Sequence, residues 1–164
     1  MRAASAVIGA LTLLLVGAKL GLDPLALTKL SILGAALGTL AIYDLREHRI
    51  PNRIVLPTAA ICAALSLIDG VHPDAGLLAG AALVLLLLCV SLAWPAALGM
   101  GDVKLALLIL CAMDGATPAA LILTLELYAL IALLLIVRHG RAALGTSLPL
   151  APIIAAGAVI ALLT

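Results

Sequence analysis

Apolar runs of about 15 to 22 residues recur along the whole chain, broken only by short polar or Gly/Pro-bearing stretches. Runs of that length read as membrane-crossing helices, and they leave no room for a separate soluble domain. Composition agrees: 66% of the 164 residues are apolar, 10% are charged and the mean hydropathy is +1.36, against about 25% charged residues in soluble domains. The expected fold is all-α, a polytopic helical membrane protein of six or seven segments, with residues 1–164 forming one membrane-embedded domain. The run near Met1 lacks a small-x-small cleavage pattern at Lys19-Leu20-Gly21-Leu22-Asp23, so it reads as a retained span. A net charge of +1 says nothing about partners, and no basic or aromatic run suggests nucleic acid. Cys62, Cys89 and Cys111 stand alone in apolar runs, which reads as buried small hydrophobes rather than disulfides or a zinc site. No cofactor is implied.

The breaks set the segments. Segment one covers about Ala4 to Leu20, and Gly21-Leu22-Asp23-Pro24 is turn chemistry before segment two, about Lys29 to Arg46. Segment three covers Arg53 to Ile68. Segment four runs from Ala75 to Trp94-Pro95, where an indole and a proline mark a boundary. Segment five, Asp102 to Met113, is too short to cross alone, and reads as a half-helix or as a span completed by tilt and by neighbours. Segment six covers Ala119 to Val137 and segment seven Leu148 to Leu163, with Pro149 and Pro152 in its first turn, where proline is tolerated. With seven segments, Arg2, Arg46, Arg49, Arg53, Lys104, Arg138 and Arg141 share one side, and only Lys19 and Lys29 fall on the other. Cytoplasmic loops are enriched in Lys and Arg, so the first group marks the cytoplasm. Loops holding Asp69, His72, Asp74 and Asp114 carry no basic residue, as an outer face should.

Ionisable residues near spans are rare and mark function, which singles out Gly99-Met100-Gly101-Asp102-Val103-Lys104 and Asp44. Taken alone, Asp102 reads equally as an ordinary helix N-cap. Pro51 biases Ile50 out of the helical region, so segment two should stop by about Arg49, with Asp44 just over one turn inside its end. Glu47 and His48 follow Asp44 at i+3 and i+4. Arg46, Arg49 and Arg53 read as topology anchors and Asn52 as a cap for segment three. Topology thus puts Asp44 and Asp102 at matching depth on different helices. Paired carboxylates near water are what an aspartic hydrolase needs: one takes a proton from water while the other polarises the scissile carbonyl. Closeness divides the labour, because two adjacent carboxylates cannot both ionise easily. If Asp102 caps segment five, the helix dipole makes it the base and Asp44 the acid, although the pair titrates as a unit and the roles can exchange.

Asp44 with Arg49-Ile50-Pro51-Asn52, then Gly99-Met100-Gly101-Asp102-Val103-Lys104, then Leu148-Pro149-Leu150-Ala151-Pro152, resemble in order the type IV prepilin peptidase family of Gly-x-Gly-Asp membrane aspartic proteases. The resemblance implies an enzyme that removes the leader of prepilin-like precursors at the cytoplasmic membrane face. It implies Asp44 and Asp102 as the catalytic pair, with Gly99, Gly101, Lys104, Asn52 and Pro51 in support. The partner implied is a precursor with a hydrophobic N-terminal helix, in the inner membrane. The two Cys-x-x-Cys pairs of bifunctional members are missing, so the likeness covers the peptidase and not the N-methyltransferase. Leu150 and Ile153 stand where the family usually has aromatics. The short form resembles peptidases of Flp/Tad-type pili or archaeal preflagellins.

Lys104 reads either as a snorkelling anchor or as a group that tunes Asp102 or holds substrate. Glu126, mid-way along segment six, reads as a protonated carboxyl hydrogen-bonded inside the bundle. His48 reads as solvated rather than bonded to Asp44, and His72 and His139 as loop residues. Gly34-x-x-x-Gly38 allows close helix packing. Two other classes compete with a protease: a small proton- or ion-coupled transporter using Glu126 with the aspartates, and a non-catalytic membrane subunit. A transporter spreads carboxylates across the bilayer, whereas a protease gathers two at one face.

Overall fold

In a computed structural model, the described residues are 2–47, 49–70, 73–95, 98–139 and 149–163. They form helices α1 (Arg2–Lys19), α2 (Pro24–Glu47), α3 (Asn52–Asp69), α4 (Ala75–Ala93), α5 (Met100–Met113), α6 (Thr117–His139) and α7 (Leu150–Ala161), with a 3-10 turn over Asp114–Ala116. The protein is all-α. Four stretches are long and apolar enough to cross a bilayer: Pro24–Glu47, Asn52–Asp69, Ala75–Ala93 and the 40 residues of Met100–His139, while α1 and α7 are shorter apolar helices. Large apolar side chains point outward, Leu67, Ile68, Leu92 and Val137 among them, as lipid-facing surface requires.

Local chemistry sets the boundaries. Asp23 Oδ1 accepts the Ala26 and Leu25 N–H groups at 2.8 and 2.9 Å, and those bonds hold its carboxyl below the usual carboxylate range. Helix α2 therefore begins at Pro24 rather than near Lys29, and Lys29 lies inside the helix instead of at a loop edge. Gly70, with φ 72°, closes α3 in a left-handed cap whose N–H reaches the Leu67 and Ser66 carbonyls. Asp74 Oδ1 caps α4 by accepting the Leu77 N–H at 2.7 Å.

Lipid-embedded helices associate through close packing rather than water exclusion. Helix α1 lies chiefly on α2, α3 on α5, and α6 on α7. A Cβ on Gly38 would fall 2.2 Å from the Ser5 carbonyl oxygen, and one on Gly34 2.2 Å from that of Gly9, so the Gly34/Gly38 pair works within the fold. The core is built from Leu33, Leu37 and Leu40 of α2, Val55 and Cys62 of α3, and Leu105, Leu108 and Ile109 of α5. Short α5 is tolerated because its neighbours cover it, with buried side chains from Val103 to Met113. Of the cysteines Cys62 is buried and Cys111 partly so, but Cys89 is exposed, because α4 is apolar all round and turns most of its surface to lipid.

Candidate active site

Asp44 and Asp102 meet at one end of the bundle. Asp44 comes from the last turn of α2 and is 7% exposed; Asp102 comes from the first turn of α5 and is partly exposed. They are close enough for the Asp44 charge to act on Asp102. The α2–α3 corner rests on the start of α5, where a Cβ on Gly101 would touch Ile50 Cδ1 at 3.1 Å. Pro51 N-caps α3 in an extended conformation, which turns the chain sharply after Asp44. The Lys104 ammonium then donates to Asn52 Oδ1 at 2.9 Å, tying the first turns of α5 and α3 together. On the other flank, Ser91 Oγ donates to the Leu98 carbonyl at 3.0 Å and holds the approach to α5.

Two capping expectations are corrected. Asp102 does not cap α5: Gly99 is the N-cap, and the Asp102 N–H donates to the Gly99 carbonyl at 3.1 Å. Its carboxyl folds back over the amide end, with Oδ2 3.5 Å from where a Gly99 Cβ would lie. Nor does Asn52 cap α3, since it is already the first helical residue and its side chain is committed to Lys104. Lys104 is therefore a tie between helices rather than a free anchor.

Sequence reasoning gave no role to Ala151, which completes the pair. Its N–H donates to Asp44 Oδ2 at 2.8 Å. A helix leaves its first N–H groups without internal partners, and in α7 Pro149 and Pro152 have none to offer. The free donor at Ala151 thus points at the carboxylate, and the flanking prolines were its sequence signal. Each aspartate thus sits at the amide end of a helix, Asp102 at α5 and Asp44 at α7. His48, His72, Arg141 and Leu148 lie outside the described residues.

The opposite end of the bundle holds a second polar cluster, also unforeseen. Lys29, 2% exposed, bonds Asp114 and donates to Ser66 Oγ at 3.2 Å, while Ser66 Oγ donates to Asp114 Oδ1 at 2.9 Å; Asp69 lies 3.6 Å from the ammonium. On α2, Lys29 and Asp44 are separated by about 22 Å at 1.5 Å per residue, and Leu33, Leu37 and Leu40 fill the interval. Glu126 does not enter the bundle: it is exposed on α6, whose buried face is Thr117, Ala120, Leu121 and Thr124. Among the described residues, no group of three or more His, Cys, Asp or Glu gathers as a metal site.

No curated protein and no solved structure matches the chain. A family model described as the type IV leader peptidase family matches residues 31–164, from within α2 through α7, and so includes both aspartates, Ala151 and every helix but α1. The chain, a membrane protein, belongs to the type IV leader peptidase family.

Proposed function

We propose that the protein is an aspartic endopeptidase that removes the leader of prepilin-like precursors, of the Flp/Tad type, at the cytoplasmic face of the inner membrane. The observation that carries this reading is the meeting of Asp44 and Asp102 at one end of the bundle, each beside a helix N-terminus. Arg46, Arg49, Arg53 and Lys104 flank the same end and support its cytoplasmic orientation. A substrate whose hydrophobic helix stays in the bilayer would present the peptide bond just outside it at this depth.

In the proposed cycle, the ionised member of the pair takes a proton from a water as its oxygen attacks the scissile carbonyl. The protonated member donates its proton to the carbonyl oxygen, giving a neutral tetrahedral diol. The diol then collapses: the C–N bond breaks, the leaving nitrogen takes the proton now held by one carboxyl, and a diol hydroxyl gives its proton to the other carboxylate. A carboxylic acid and an amine leave a pair that again holds one proton. The Ala151 N–H bonds Asp44 Oδ2 and so fixes the orientation of that carboxyl. The roles of acid and base belong to the pair rather than to either residue.

The test is an immunoblot for precursor and mature pilin in cells co-expressing the enzyme. Asp44→Asn and Asp102→Asn should each abolish processing, and the double variant should be no worse than either single, because residues acting as a unit are non-additive. Normal processing by a stably expressed Asp102→Asn protein would end this reading. The transporter alternative finds less support. The carboxylates of the two bundle ends are separated by a leucine-filled core, and Glu126 faces away from both.

A further inference from the structure

Glu126 lies near the middle of α6, about 14 Å from the Thr117 end at 1.5 Å per residue. Its side chain is exposed on the lipid-facing surface, and no hydrogen bond or ion pair engages it among the described residues. Carboxyls at that depth are costly in hydrocarbon and are found facing protein or a water-filled cavity. This subunit offers neither, since the inward face of α6 is already packed by Thr117, Ala120, Leu121 and Thr124.

The exposed residues around Glu126 have a pattern. Ile122, Glu126, Ala129, Leu133 and Ile136 are all exposed and follow one another at alternating spacings of four and three. That is the spacing of a helix-pairing seam, in which a single polar residue fixes register. Ala129, less than one turn from Glu126, is small enough to let a second helix approach closely.

We propose that α6 pairs with α6 of a second copy of this chain about a two-fold axis along the membrane normal, with the two Glu126 carboxyls protonated and hydrogen-bonded to each other. A neutral carboxyl is at once donor and acceptor, so it complements its own copy, and a two-fold axis makes the two bonds reciprocal. Copies inserted the same way hold Glu126 at equal depth. The other exposed members of the seam are apolar, so the pairing needs no cation from a different protein. Asp44 and Asp102 lie on α2 and α5, away from this face, and the inference stands whether or not the protein is a protease.

The experiment is energy transfer between donor- and acceptor-labelled full-length chains in phosphatidylcholine vesicles, followed as the protein-to-lipid ratio is lowered. Wild type should associate. Glu126→Gln should associate within a few-fold of it, because an amide is also donor and acceptor, and Glu126→Leu should need about tenfold more protein per lipid. Thermal unfolding of each variant checks that Glu126→Leu is folded. A wild type that stays monomeric at every density, including one that binds a different membrane protein instead, overturns the proposal. So does a Glu126→Leu protein that pairs as well as wild type.

Discussion

A methylene is the scale at which the aspartate pair can be probed. Asp44→Glu or Asp102→Glu keeps the charge but moves it by more than a preorganised site tolerates, and should lower cleavage by about 100-fold or more. The proteins should still accumulate, as measured by blotting membranes in parallel. Two coupled carboxylates also predict a bell-shaped dependence of cleavage rate on pH, unaffected by chelators. Loss of activity on chelation and its return with zinc would contradict an aspartic mechanism. Close to the pair, Gly101→Ala meets the side chain of Ile50 and no backbone, Cδ1 at 3.1 Å and Cβ at 3.4 Å, so a small shift of Ile50 should let it fold while activity falls modestly. Gly38→Ala is different, because its Cβ would meet the backbone of Ser5; it should destabilise the α1–α2 contact by about 1 to 3 kcal/mol in a thermal or denaturant titration.

Helix ends, more than helix middles, determine how this chain is put together. The Lys29–Asp114–Ser66 cluster joins the start of α2, the end of α3 and the turn between α5 and α6. Removing one partner of a buried ion pair costs about 3 to 5 kcal/mol because the other charge is left behind. Lys29→Met should therefore lower the unfolding temperature of the purified protein sharply, and adding Asp114→Asn should recover part of the loss. Catalysis at a permissive temperature should survive, since Asp44 lies at the far end of α2. These elements were unequally legible in the sequence. Apolar runs gave every helix, and Pro51 gave the end of α2, because both are local signals. In the sequence Lys29 marks a boundary, because a cation in an apolar run looks like its end; only partners 37 and 85 residues away make it an interior residue. The facing of Glu126 was equally hidden. Helix α6 is apolar nearly all round, so no periodicity separates the side that meets α7 from the side that meets lipid. The bond between Lys104 and Asn52 displaced the cap expected at Asn52 for the same reason, a contact 52 residues away.

Across the whole molecule, the proposed orientation predicts that the two polar ends face opposite sides of the bilayer, and labelling tests it. Cysteines introduced at Arg53 and Pro73 should label from opposite sides, Arg53 from the cytoplasm and Pro73 from outside intact cells. Labelling of the Arg53 position from outside would invert the orientation and move the aspartates away from cytoplasmic leaders. The bond from Ala151 to Asp44 also imposes an order in time. Its partners are 107 residues apart, so at typical rates of synthesis the carboxylate waits about 5 to 20 seconds for its donor. A nascent chain can thus bring both aspartates into the membrane and still lack the group that orients one of them. The Asp44 and Asp102 site is thus complete only when α7, the last helix of the chain, has taken its place beside α2.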